Sequence, residues 1–157
     1  MVVATVRDDP ANELYATGAP DAAALSAGSA AGVRVDVWVR GICSLKVGLD
    51  GVGDNITVRS ILGRYLEHSR IFAFANDGDP QVYIGSADMM HRNLDRRVEC
   101  LVRLADPRHL DDLRSLIAQG MSGKFSHWSL GADGRWSRRH LDARQAQHRG
   151  DGRVPID

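Results

Sequence analysis

Asp21-Ala-Ala-Ala-Leu-Ser-Ala-Gly-Ser-Ala-Ala31, then Gly32, then Val33-Arg-Val-Asp-Val-Trp-Val39 is the stretch that decides the fold. Its first half is rich in Ala, begins after Pro20 and stops at a glycine, which is the pattern of a helix with its usual start and stop residues. Its second half alternates strictly, so Val33, Val35, Val37 and Val39 share one face of a strand. A helix, a glycine and a valine-rich strand in that order make an α/β unit. The expected architecture is a mixed β-sheet flanked by helices.

Working outward, residues 45–57 carry Gly48, Gly51, Gly53 and Asn55 and read as a loop. A short strand at 58–61 and a helical turn at 62–67 follow. Two mostly apolar runs, 69–75 and 81–84, flank the turn cluster Asn76-Asp-Gly-Asp-Pro80, so 69–84 is expected as a β-hairpin. A short helix over 90–95 leads to a strand over 98–104. Asp106 and Pro107 open a helix with Leu110, Leu113, Leu116 and Ile117 on its apolar face. Residues 125–130 and 135–138 flank Gly131-Ala-Asp-Gly134 as a terminal hairpin. Upstream, residues 1–20 lack a clear period and are expected as a poorly ordered arm. Residues 21–140 form the domain, and 141–157 a polar tail.

The 157 residues fit one domain, and 43% apolar with 25% charged residues is ordinary for a globular protein. Twenty basic residues balance twenty acidic ones, so no net charge draws the chain towards nucleic acid. Among the basic residues only Lys46 and Lys124 are lysine. Guanidinium groups suit phosphate ligands, although codon usage in a GC-rich genome explains the bias more economically. Cys43 and Cys100 lack metal-binding spacing and are expected as buried free thiols in a reducing compartment. The start turns acidic too soon for a signal peptide, and no run approaches the roughly 18 apolar residues of a membrane span. A cytoplasmic location is expected.

The strongest chemical signal is His68-Ser-Arg70, followed after the hairpin by Gly85-Ser-Ala-Asp88. Residues two apart on a strand project to the same side. A Gly-Ser turn at the end of the returning strand brings a hydroxyl and backbone N–H groups beside them. Such a set offers a nucleophile or proton donor and several donors to phosphoryl oxygens. A histidine merely satisfied at a strand start is the plainer alternative for His68. Asp88 is expected to be structural, accepting from backbone N–H groups after the turn. Trp38, Trp128 and Trp136 are expected to pack rather than stack on a base.

The spacing resembles the phospholipase D superfamily pattern His-x-Lys-x4-Asp-x6-Gly-Ser-x-Asn, with Arg70 in place of the Lys and Asp88 in place of the Asn. Five longer blocks narrow the resemblance: Val39-Arg-Gly-Ile-Cys-Ser-Leu45, Ile56-Thr-Val-Arg-Ser-Ile61, Gly63-Arg-Tyr-Leu-Glu-His-Ser-Arg-Ile-Phe72, Val82-Tyr-Ile-Gly-Ser-Ala-Asp88 and Arg92-Asn-Leu-Asp-Arg-Arg-Val-Glu99. In order and approximate spacing they resemble the last domain of polyphosphate kinase, which has a phospholipase D-like fold. The likeness is dense over 33–104 and weaker to about residue 140.

What the resemblance implies is a phosphotransferase that moves the terminal phosphoryl of ATP reversibly to inorganic polyphosphate. Arg40 and His68 match the two residues of this domain that contact the nucleotide triphosphate: Arg40 would bind phosphate and His68 would assist transfer. Arg64, Arg70 and Ser86 are further candidates for polyphosphate contact. Arg92, Arg96 and Arg97 either extend a cationic track or pair internally with Asp95 and Glu99. The family's phosphohistidine and its Mg ligands belong to upstream blocks that do not occur before Val33, so Mg is expected from the family without ligands in these residues. The expectation is a truncated or split kinase, with a separately encoded upstream partner or as a homo-oligomer, and with no nucleic acid or membrane partner. A non-catalytic polyphosphate- or nucleotide-binding module and a homodimeric phosphodiesterase are the rival readings.

Overall fold

The structure is a computed structural model and describes residues 3–7, 21–40, 43–61, 68–90, 93 and 96–139. In chain order these residues form β1 (Val3–Arg7), α1 (Asp21–Ala30), β2 (Arg34–Trp38), β3 (Ile56–Ile61), β4 (Ile71–Phe74), a 3-10 turn (Asn76–Gly78), β5 (Gln81–Gly85), β6 (Leu101–Leu104), α2 (Pro107–Met121), β7 (His127–Leu130) and β8 (Trp136–Arg139). The strands make one sheet in the order β6-β5-β4-β1-β2-β3-β7-β8. The β1–β4 and β2–β3 pairs are parallel and the other neighbours antiparallel. The mixed sheet with helices against it is the architecture the sequence implies.

β2 lies inside this sheet and is buried on both faces. Val33, Val35, Val37 and Val39 pack with Leu25 of α1, Val47, Ile56 and Val58 on one side. Trp38 faces the other way and packs with Ile71, Ala73, Val82 and Ile117 of α2. The alternation seen in the sequence is therefore the division between two cores, one under each helix. Burying a Val or Ile side chain contributes about 1.5–3 kcal/mol, and most of the fully buried side chains lie on β2, β3, β4 and β5. Asp36 sits among them at 3% exposure, and Arg34 pairs with it at 3.3 Å, as a buried carboxylate requires.

Several expectations need correction. Residues 3–7, read as part of an arm, instead supply β1 between β2 and β4. Five residues are too few for a period to emerge from the sequence, although Val3, Thr5 and Val6 are strand formers. The strand expected over 98–104 is confined to Leu101–Leu104, and Val98 is fully exposed. On α2 the packed stripe is Leu110, Leu113, Ile117 and Met121, while Leu116 is exposed. Leu116 lies about 60° further round the helix than Leu113, beyond the edge of the stripe. Cys100 is exposed and Cys43 half-buried, so neither thiol is sealed in a core. The helical segments expected at 62–67 and 90–95, the remainder of the arm and the tail at 141–157 lie wholly or mainly outside the described residues.

The 71–85 hairpin turns through Asn76 and Asp77, both at positive φ (48° and 47°), where Asn and Asp are the best-tolerated non-glycine residues. The sheet's topology then decides where chemistry can gather. β2, β3, β5 and β8 finish at one end of the sheet, and β4, β6 and β7 begin there. Residues distant in sequence meet in the loops at that end.

α2 reaches the sheet through a glycine. A Cβ on Gly120 would come within 2.6 Å of the Trp38 ring at Cε3, closer than carbon atoms can approach. Gly120→Ala is accordingly expected to destabilise the protein by about 1–3 kcal/mol through overpacking, measured as a lower urea midpoint at unchanged slope.

Candidate functional site

Arg40 lies just past β2, where the Val39 N–H still donates to the Arg59 carbonyl at 2.8 Å. His68 and Arg70 lie just before β4, and Ser86 to Asp88 just after β5. The Gly85 N–H, donating to the Arg70 carbonyl at 3.0 Å, ties the last two segments together. β2 and β4 run in opposite directions because β1 separates them, antiparallel to one and parallel to the other. The end of β2 therefore meets the start of β4.

The side chains converge on Asp88. Its Oδ1 accepts from Arg70 Nε at 3.1 Å and from Arg40 Nη2 at 3.4 Å. All three side chains are largely shielded, Arg70 at 11%, Asp88 at 17% and Arg40 at 22% exposure. Arg70 Nη1 also donates to His68 Nδ1 at 2.6 Å and to the His68 carbonyl at 2.9 Å. A guanidinium can only donate; Nη1 also lies 3.4 Å from His68 Nε2, and the shorter contact favours Nδ1 as the acceptor, with the proton of a neutral His68 on Nε2. The imidazole itself is exposed.

These contacts set the protonation states. Burial works to raise the Asp88 carboxyl, but the Arg70 hydrogen bond and the charges of Arg70 and Arg40 outweigh it and hold the group below the usual carboxylate range. The charge of Arg70, helped by desolvation and by Arg40, holds the His68 imidazole below its ordinary value, against the opposing pull of Asp88. A lowered pKa on an exposed imidazole marks a local positive potential. The site as built offers guanidinium groups and a neutral imidazole N–H, a donor set for anionic oxygens.

The structure brings Arg40, His68 and Arg70 together, and Asp88 is structural as expected but with other partners. The side chain of Asp88 bridges two guanidinium groups instead of capping backbone N–H groups. The clue lay in the two departures from the phospholipase D pattern: Arg for Lys and Asp for Asn are the two halves of a single ion pair. Ser86, a candidate polyphosphate contact from the sequence, is engaged within the protein. Its hydroxyl donates to Glu99, and its Oγ accepts from the Cys100 N–H at 3.0 Å. Glu99 also accepts from Asn93 at 2.9 Å and pairs with Arg97 at 3.5 Å. The hydrogen bonds from Ser86 and Asn93 hold the Glu99 carboxyl below its usual range. Arg97 is thus internally paired, and Arg64 and Arg92 lie outside the described residues. Trp38 packs in the core, whereas Trp136 is exposed and Trp128 lies under the guanidinium of Arg138, 5.9 Å from its ring centroid.

The family model for the polyphosphate kinase C-terminal domain 2 matches residues 21–150. The chain belongs to the polyphosphate kinase family. It is 61% identical over 115 residues to the polyphosphate kinase of Streptomyces coelicolor, covering 73% of this chain and 15% of that protein. With polyphosphate kinase 1 of Chlorobaculum tepidum it shares 50% identity over 120 residues, covering 76% of this chain and 17% of that protein. The crystal structure of the Porphyromonas gingivalis polyphosphate kinase matches 90% of this chain with a TM-score of 0.75 at 28% identity, and this covers 20% of that chain. The chain thus spans about one-sixth of the length of the polyphosphate kinases to which it is most directly compared.

The cluster does not suit Mg. Its one carboxylate is already held by two guanidinium groups, which repel a cation. Among the described residues no group of His, Cys, Asp and Glu could hold a metal ion, and no helix is long and apolar enough to cross a membrane.

The electrostatic assignment fixes the sign of two variants. In an NMR titration, His68 is expected to titrate below the ordinary histidine value of about 6.5. Arg70→Gln should raise its pKa by removing the nearest positive charge, and Asp88→Asn should lower it further. Equal pKa values in all three proteins would contradict the geometry.

Proposed function

We propose that this chain is the ATP- and polyphosphate-binding carboxy-terminal domain of a polyphosphate kinase, which transfers the terminal phosphoryl of ATP reversibly to inorganic polyphosphate. Arg40 and Arg70 hold phosphate oxygens, and His68 donates from Nε2 to the phosphoryl group in transit. The observation that carries this reading is the convergence of Arg40 and Arg70 on one Asp88 oxygen, with His68 in their positive field. Transfer of a phosphoryl group depends mainly on in-line positioning and on neutralising charge on the equatorial oxygens. Two guanidinium groups whose positions are set by a shared carboxylate suit both tasks.

Neutral His68 suits the role of donor at pH 7, since its lowered pKa leaves Nε2–H available without adding a third full charge. Ser86, engaged by Glu99 and Cys100, shapes the turn that presents Asp88. Arg64 remains a candidate phosphate contact on the strength of its motif. The nucleophile and Mg ligands belong, in this reading, to other segments of the kinase. Incubation with γ-labelled ATP and Mg should therefore place no acid-labile phosphate on these residues, and vigorous labelling would overturn that division of roles.

Loss of one charge-assisted hydrogen bond costs about 1.5–3 kcal/mol, so Arg40→Ala is expected to weaken tripolyphosphate binding by about tenfold or more in calorimetry. Supplying in trans the segments that precede this domain in polyphosphate kinases should yield ATP from ADP and polyphosphate. A chain that binds tripolyphosphate but never supports turnover would favour the non-catalytic module.

A further inference from the structure

The described carboxylates gather at one end of the sheet, where they outnumber the cations Arg34, Arg108 and Arg135, the last two of which pair with Asp106 and Asp133. Asp50, Asp54, Asp77, Asp79, Asp106 and Asp133 occupy the turns at the end remote from Arg40. At the Arg40 end the described carboxylates are Asp88 and Glu99, and both are already engaged. The cations there reach well beyond the cluster. β7 starts and β8 finishes at this end, with His127 opposite Arg139 and Trp128 opposite Arg138. Ile61, the last residue of β3, pairs with His127. Arg138 and Arg139 are both exposed and point to opposite sides of the β8 terminus, with no ion-pair partner among the described residues. Arg138 rests on Trp128, its guanidinium carbon 5.9 Å from the ring centroid, a contact that limits its rotamers. Lys124, also exposed, lies in the loop that enters β7.

From β4, entered by Arg70, to β8 there are five strand spacings, about 24 Å across the sheet, and from β2, which ends at Arg40, three, about 14 Å. A triphosphate held at Arg40 and Arg70 does not need cations that far away; a long linear polyanion does. We propose that polyphosphate runs along this end of the sheet, from Arg40 and Arg70 over the ends of β3 and β7 to Arg138 and Arg139. This track rests on the phosphate-binding role proposed for Arg40 and Arg70. The excess of carboxylates at the far end disfavours the opposite rim of the sheet as a route for the polymer.

The test compares a long linear polyphosphate with tripolyphosphate, each titrated into the full chain at two salt concentrations. R138E/R139E is expected to weaken long-chain binding by about tenfold or more and to flatten its salt dependence, with tripolyphosphate binding and circular dichroism unchanged. R108E/R135E makes the same change of charge at the far end and should leave both ligands unaffected. Should R138E/R139E fail to fold, R138Q/R139Q replaces it, with an expected loss of about threefold or more. Unaltered long-chain affinity in the β8 variant, or an equal loss in R108E/R135E, overturns the track. A single-stranded oligonucleotide of matching charge that binds as tightly would overturn the choice of polyphosphate. Wild-type protein that fails to bind tripolyphosphate at all would instead refute the roles given to Arg40 and Arg70.

Discussion

Two guanidinium groups, one from the end of β2 and one from the start of β4, hydrogen-bond to the same oxygen of Asp88. Like charges brought to one point repel, and in a half-buried setting water does little to relieve them. The carboxylate between them makes the arrangement stable and sets its geometry. His68 depends on it in turn, because Arg70 is held by Asp88 through Nε while it reaches the imidazole through Nη1. A single anionic oxygen thus organises donors drawn from two separate stretches of chain, the end of β2 and the approach to β4.

The backbone beneath this cluster is what makes the meeting geometrically cheap. β2 is buried on both sides by valines and Trp38, so its end is a rigid platform for Arg40. The β4–β5 hairpin delivers Arg70 and Asp88 from adjacent ends, linked through the Gly85–Arg70 backbone bond. Arg59 adds a further tie by donating to the Met121 carbonyl, which anchors the last turn of α2 to β3. Such cations at helix C-termini meet the negative end of the helix dipole.

How much of this was legible in the sequence depended on the range of the interaction. The α1–β2 unit, the hairpin and α2 are local patterns of period 2 or 3.6, and they were readable. The place of β1 was not, because a five-residue strand announces nothing until its neighbours are known. At the site, Arg40, His68 and Arg70 could be named from their motifs. Asp88 was seen, but its partners lie 18 and 48 positions away, and no periodicity encodes a contact of that kind. The paired departures from the superfamily pattern were the available hint, and they acquire meaning only when the two are seen as one substitution. The Arg138–Trp128 contact was likewise hidden, since a terminal hairpin read from its turn residues does not say what its strands carry.

β6 closes one side of the sheet with Leu101 and Val102 about half exposed, Ile84 beside Val102 on the neighbouring strand, and Val98 bare just before it. Its outer N–H and C=O groups carry none of the usual deterrents to strand addition, neither a proline nor a lysine within Leu101–Leu104, and only Arg103 bears charge. A rim with so few of these guards is, on physical grounds, the edge of this sheet least protected against pairing with a further strand.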